Sequence, residues 1–249
     1  VKEIGAINQV SLNDVVMAIS GEGLRRFLAD MGCHPTESLL AAVPVSLREE
    51  GNTEFRNQVS MARMSLASTE RDPLKRLQAI HQSSQNVKAI VSDVRPCLPT
   101  DFPSIGAPWL VSGLASLFFR SRLVNSLPPL ANVLISNVPG PNMPLYFAGA
   151  KQISTYPVSI PMHGLALNIT LQSYNGWIDF GLIGCRRAVP DIADLGKHMQ
   201  AAHAEFLKLS RAQANPAPAL EDPAKPRNMS EATKATKATK AKLKTKATA

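Results

Sequence analysis

Five histidines, His34, His81, His163, His198 and His203, are the side chains of this 249-residue chain best suited to move a proton near neutral pH. No two are adjacent. His163 stands before Gly164 in a loop between two apolar stretches, yet nothing near it supplies a nucleophile for a base to activate. His198 and His203 are five residues apart, which on a helix takes them off a common face and rules out a metal pair. Cys33, Cys97 and Cys185 are too far apart for a zinc pattern and odd in number for a disulfide framework. Phosphate-cradling and dinucleotide-binding glycine motifs are absent. By residue type and spacing, the chain carries no catalytic constellation, no metal site and no cofactor site of its own.

Three short polar motifs remain as candidates. Asn13-Asp14 opens an apolar helical pattern, where Asp14 complements the positive end of a helix. Asn137-Val138-Pro139 ends the apolar run that begins at Asn132, and Pro139-Gly140 turns the chain. Asp179-Phe180-Gly181 lies inside a strand pattern, with Asp179 and Gly181 on one face and Phe180 on the other.

The elements that must position these motifs follow from hydrophobic period. Leu12, Val15, Ile19, Gly23 and Phe27 share one face of a helix from Ser11 to about Ala29, and Ser11 with Asp14 has capping-box spacing. Leu39–Leu47 and Val59–Ala67 read as strands. Asp72-Pro73 starts a second helix, with Leu74, Leu77, Ile80, Ser84, Val87 and Val91 on one face to about Val94. A third helix is expected between Ala107 and Val124. Strands are expected near Ala131–Val138, Ala150–Val158, Ala166–Ser173 and Trp177–Gly184, the last two joined by an Asn175-Gly176 turn. Pro190 opens a final helix carrying Ile192, Leu195, Met199, Ala202, Phe206 and Leu209 on one side. Helices and strands in mixed succession imply an α/β sandwich on a mixed sheet.

Composition sets the remaining bounds. With 45% apolar residues the chain has material for a sizeable core. The formal charge of +8 is concentrated after Ala212, where eight lysines and arginines face three acidic residues. Residues 211–249 are rich in Ala, Pro, Thr and Lys, repeat Ala-Thr-Lys at 232–240, and are expected to be a disordered basic tail. Its charge would suit nucleic acid or an anionic membrane, but it has no aromatic residues to stack on bases, so a solubilising extension is expected. Ile105–Phe119 is the longest apolar stretch and is too short to span a bilayer. Lys2-Glu3 leads into a polar segment, not a signal peptide, and the cysteine usage suits a reducing, cytoplasmic location.

The run from Asn132 to Pro141 and the following Pro144-Leu-Tyr-Phe-Ala-Gly-Ala150 resemble the C-terminal half of the bacterial wax ester synthase/diacylglycerol acyltransferase family. The resemblance continues through Tyr156-Pro157-Val158, Leu167–Thr170, Asp179–Leu182, Ser11–Asp14 and Val43–Arg48, and covers residues 1–209 or so. It implies a chloramphenicol-acetyltransferase-like half-domain over 1–210, which meets a second half across the active site. It also implies transfer of a fatty acyl group from acyl-CoA to diacylglycerol or a long-chain alcohol, with acyl-CoA as substrate and no cofactor. The family's His-His-x-x-x-Asp-Gly motif is absent here, so an N-terminal catalytic half is the expected partner and the chain alone should be inactive. Asn13, Asp14, Asn137, Val138 and Pro139 are then expected at the substrate channel or domain interface, and Asp179, Phe180 and Gly181 in a supporting role. Asn13 and Asn137 should flank an uncovered apolar face. Peripheral contact with the inner membrane or lipid inclusions would fit Ile105–Phe119 with Arg120 and Arg122. The rival expectation is a non-catalytic scaffold, held on lipid bodies, membrane or nucleic acid by its tail.

Overall fold

The computed structural model describes residues 1–46, 59–94, 130–161 and 164–215. Helices α1 (Lys2–Asn8) and α2 (Leu12–Asp30) precede strands β1 (Leu40–Ser46) and β2 (Val59–Ser65). Helix α3 (Pro73–Val94) follows, then β3 (Val133–Val138), β4 (Tyr146–Phe147), β5 (Ala150–Lys151), β6 (Leu167–Tyr174), β7 (Trp177–Gly184) and helix α4 (Ile192–Ala214).

Five strands form one sheet in the order β2-β1-β3-β6-β7, and β4 and β5 form a separate hairpin. The pairs β1/β3 and β3/β6 are parallel, while β1/β2 and β6/β7 are antiparallel. The expected mixed sheet is therefore present. Its parallel centre is built by crossovers, because parallel neighbours cannot be joined by a tight turn.

Helix α2 is the middle of the helical layer. It packs against α4 and α3, and every residue from Asp14 to Leu24 is buried. Val15, Val16 and Ile19 meet Leu77 and Ile80 of α3, Leu195 and Phe206 of α4, and Ile135, Ile169 and Leu171 of the sheet in one apolar core. The start of α2 follows from sequence. Ser11 Oγ accepts from the Asp14 amide at 3.2 Å, and Asp14 Oδ2 accepts from the Ser11 amide at 3.0 Å, a closed capping box.

The Asn175-Gly176 turn is equally local. Both residues have positive φ, 46° and 85°, as a two-residue hairpin needs.

Three expectations change. The segment after Val1 is helical: α1 buries Ile4 completely, and Asn8 Nδ2 donates to Ser210 Oγ at 2.8 Å on α4. A seven-residue helix is too short to announce itself by period and is held by these contacts. Next, Ala150–Val158 is not a strand of the sheet. Only Ala150–Lys151 pairs, with Tyr146–Phe147. From Gln152 the chain becomes a strap stacked on the sheet, because Pro157 lacks an amide to donate to a ladder. Finally, α4 continues to Ala214, past the boundary that composition placed at 210, and Arg211 donates to Glu3 of α1. The buried stripe of α4 ends on Ser210, with Leu209 half-buried beside it. The helix expected at 107–124, the apolar stretch 105–119, His163 and most of the basic tail lie outside the described residues.

Candidate functional site

The end of β3 and the β6/β7 hairpin form one tight corner. Val138 and Pro139 are exposed there, and Gly140 donates its amide to Ser173 Oγ at 2.9 Å. A Cβ on Gly140 would sit 2.0 Å from the Ser173 carbonyl oxygen, so the Pro-Gly-Pro turn needs glycine for close approach. Asn175 donates its amide to Pro141 O at 3.0 Å and closes the corner. Tyr174 is buried beside it. Its hydroxyl accepts from the Leu145 amide at 2.8 Å and donates to Gln152 O at 3.0 Å, tying the β4–β5 hairpin to the sheet.

This corner forms one wall of a cleft of about 1090 Å3. Ile178, Phe180 and Leu182 of β7 form its floor, with Leu12 and Ile19 of α2 and Met199 of α4 among the residues opposite. Asn137, Pro139 and Asp179 also line it. Polar groups sit at the α1–α4 end. The Val1 amino group lies 3.4 Å from His203 Nε2, and burial with the Val1 charge pushes the His203 pKa down. His203 is thus held neutral, which suits it to accept from the ammonium.

The strap on the opposite face of the sheet explains Asp179 and Gly181. Asp179 Oδ2 accepts from the Thr155 amide at 3.0 Å, and Asn168 Nδ2 donates to Ser159 Oγ at 2.8 Å and Ile160 O at 3.0 Å. Between these ties, a Cβ on Gly181 would lie 1.9 Å from Pro157 O. Gly181→Ala should therefore lift the strap and cost roughly 1–3 kcal/mol, as overpacking does. A urea midpoint equal to that of the parent would show that the strap does not press on β7. The strap's outward residues Tyr156, Val158 and Ile160 are 73–83% exposed, and Phe147 at the hairpin tip is 86% exposed. Alternation in this segment is real, but its outer face has no cover among the described residues.

Asp14 stands elsewhere. It is fully buried, and His81 Nδ1 of α3 lies 2.7 Å from its Oδ2. Burial raises the Asp14 pKa, and hydrogen bonds from His81, Ser11 and Ser84 overcome that, for a net lowering. Asp14 therefore stays ionised and latches α3 to the start of α2. Neither Asn13 nor Asp14 lines the cleft that Asn137 lines. The expected pairing of Asn13 with Asn137 beside one apolar face is not what this arrangement brings together.

Among the described residues, no group of acidic, Cys or His side chains could hold a metal ion. The His81–Asp14 pair and the buried Glu22–Arg76 pair were not legible in sequence, since their members are 67 and 54 positions apart.

Residues 56–206 match the family model described as the WS/DGAT C-terminal domain. The chain belongs to the WS/DGAT family. A Mycobacterium tuberculosis protein named as a diacylglycerol O-acyltransferase, Rv3740c, is 40% identical over 206 residues, which are 83% of this chain and 45% of that protein. O-acyltransferase WSD of Acinetobacter baylyi is 37% identical over 191 residues, 77% of this chain and 40% of its own length. The solved wax ester synthase/diacylglycerol acyltransferase of Marinobacter aquaeolei VT8 superposes with a TM-score of 0.63 at 31% identity, covering 85% of this chain and 47% of that one. The mixed α/β fold of the WS/DGAT C-terminal half, expected from sequence, is thus the fold observed. The chain spans less than half the length of these relatives.

Proposed function

We propose that this chain is the C-terminal half of an O-acyltransferase that moves a fatty acyl group from acyl-CoA to a diacylglycerol or a long-chain alcohol. The observation that carries this reading is an apolar cleft beside the Asn137 corner, in a chain of the WS/DGAT family. In the reaction the acceptor hydroxyl adds to the thioester carbonyl, its proton passes to a base, and CoA leaves as the thiol. The base is a histidine of the N-terminal half, and no covalent acyl-enzyme or cofactor is needed.

This chain's part is to bind and position. Ile178, Phe180, Leu182 and Met199 give an alkyl chain a dry wall, and burying each methylene is worth about 0.8 kcal/mol. Asn137, at the cleft's polar corner, offers an amide to the ester-forming end. The exposed row Tyr156, Val158 and Ile160, with Phe147, is the surface on which the N-terminal half rests. No helix among the described residues is long and apolar enough to cross a membrane. A cytoplasmic enzyme resting peripherally on the membrane or on lipid inclusions fits this reading.

The test joins the N-terminal portion of the Acinetobacter baylyi relative ahead of Val1. The chimera should release CoA from palmitoyl-CoA when given diolein or hexadecanol. Association of the two parts, seen as a compact monomer, without CoA release from either acceptor would sink the assignment.

A further inference from the structure

Glycine inside a helix needs a reason, because it loses the most backbone freedom on folding and brings no side chain to bury. Gly5 of α1 and Gly21 and Gly23 of α2 have one in packing. A Cβ on Gly5 would lie 3.0 Å from the Val10 carbonyl oxygen, one on Gly21 3.1 Å from that of Leu66, and one on Gly23 2.5 Å from Met199 Cγ. Gly196 of α4 is the exception. Its Cβ would meet nothing closer than Leu182 Cδ1 at 3.6 Å, an ordinary contact, and its φ is not positive. Neither its backbone nor a neighbour forbids a side chain there.

Its place supplies the reason. Gly196 lines the cleft one helical turn before Met199 and faces Leu182. Ile178, Phe180 and Leu182 alternate along β7 and so form a row on one face. Ile178 lies beside the Asn175-Gly176 turn, at the corner that Asn137 and Pro139 share, and Leu182 is roughly 13 Å further along the strand. Gly196 therefore stands at the end of the apolar row away from that corner. Both Gly196 and Leu182 are only half-buried, so the space a side chain at 196 would fill is open.

We propose that Gly196 is a specificity-determining residue: the side chain it lacks is replaced by the far methylenes of an alkyl chain lying along Ile178, Phe180 and Leu182, so this position sets how long a chain the cleft accepts. Each methylene buried past Leu182 adds about fourfold to affinity, and a side chain at 196 removes that gain from long chains more than from short ones. The inference rests on the acyltransferase reading for the identity of the alkyl chain, which is the acyl group of the donor or the hydrocarbon of the acceptor.

Chain-length profiles of the chimera described above test it. Palmitoyl-CoA and octanoyl-CoA are compared with hexadecanol as acceptor, then hexadecanol and octanol with palmitoyl-CoA as donor. Gly196→Leu should lower the long-to-short ratio of kcat/KM by at least about tenfold in one series, and the series that responds identifies the chain. Unchanged ratios in both series would overturn the inference and leave the acyltransferase reading intact. Calorimetry on the free chain with dodecanoate and octanoate needs no turnover. Gly196→Leu should weaken dodecanoate at least about tenfold more than octanoate. That result beside a chimera that releases no CoA would sink the acyltransferase reading and keep the alkyl site. Dodecanoate binding that the substitution leaves unchanged, or that the parent chain lacks, would overturn the inference. Gly196→Ala decides if the leucine variant does not fold. An alanine fits against Leu182 and favours the helix, so its urea midpoint should equal or exceed the parent's while the ratios shift in the same direction. A lower midpoint would show that packing demands the glycine, and the proposal would fall.

Discussion

The purified chain alone, given palmitoyl-CoA and diolein, should release CoA no faster than the protein-free mixture. Acyl transfer to an alcohol needs a base at the hydroxyl and a wall on each side of the thioester. A positioned base alone contributes about 10²–10⁴-fold, and orienting both substrates contributes more. Among the described residues, this chain has the cleft wall but no unengaged base beside it. His203 at the cleft is held neutral but is engaged with the Val1 amino group, and His81 is engaged with Asp14 away from the cleft. The readout is a thiol reagent, with His163→Ala and His203→Ala as controls. Turnover well above background that either substitution removes would place the general base in this half, and the division of labour proposed above would fall.

Glu22→Gln should be the most damaging single substitution in the helical layer. Glu22 has a side chain only 2% exposed, and it accepts from Arg25 Nε and Nη2 at 2.8 Å each, from Arg26 Nε at 2.6 Å, and from Arg76 Nη1. Arg76 is fully buried. It keeps a contact to Glu70 O when Glu22 is gone, but its charge is then unpaired. Removing one partner of such a pair costs roughly 3–5 kcal/mol, whereas replacing both by apolar residues of similar volume is often neutral. The double variant Glu22→Leu/Arg76→Met should accordingly be more stable than Glu22→Gln. A loss of unfolding free energy in urea of less than about 1 kcal/mol for Glu22→Gln, or a double variant less stable than the single, would show that the network is solvated.

The same group sets an acid limit. Burial raises the Glu22 pKa, and the arginines overcome this and hold it at about 2, against 4.5 for the ordinary carboxyl. A lowered folded-state pKa gives stability that is present above pH 4.5 and lost as pH falls toward 2, about 3 kcal/mol over that window. Asp14 titrates with the same sign. Stability measured between pH 5 and 2 should fall in the parent and fall less in the double variant.

What the sequence made legible is what local chemistry controls. The capping box at Ser11, the Asp72-Pro73 helix start and the Asn175-Gly176 turn each act within a few residues, and each is found where expected. The paired charges were illegible for the opposite reason. Nothing local marks Glu22 as buried, because the partner that draws it inward, Arg76, arrives from α3, 54 positions away. The strap failed for a third reason: period-two alternation says that a segment is extended, not that it lies in a ladder. Of the candidate site, Asn137, Pro139, Asp179 and Phe180 meet at one cleft because β3, β6 and β7 are neighbours. Asn13-Asp14 carried the same kind of motif signal, but its Asp14 serves the α2–α3 contact.

The sheet order also sets a clock. Ala41 of β1 pairs with Val133 of β3, while β2 is complete by Ser65. On the ribosome, at about 5–20 residues per second, β1 therefore waits on the order of ten seconds for its central partner. Through that interval Ala41 and Val43, both destined for the core, stand on a nascent hairpin whose inner edge is bare. Expression yield should thus respond to translation speed across residues 66–132, where slower codons lengthen the wait and favour misassembly over folding.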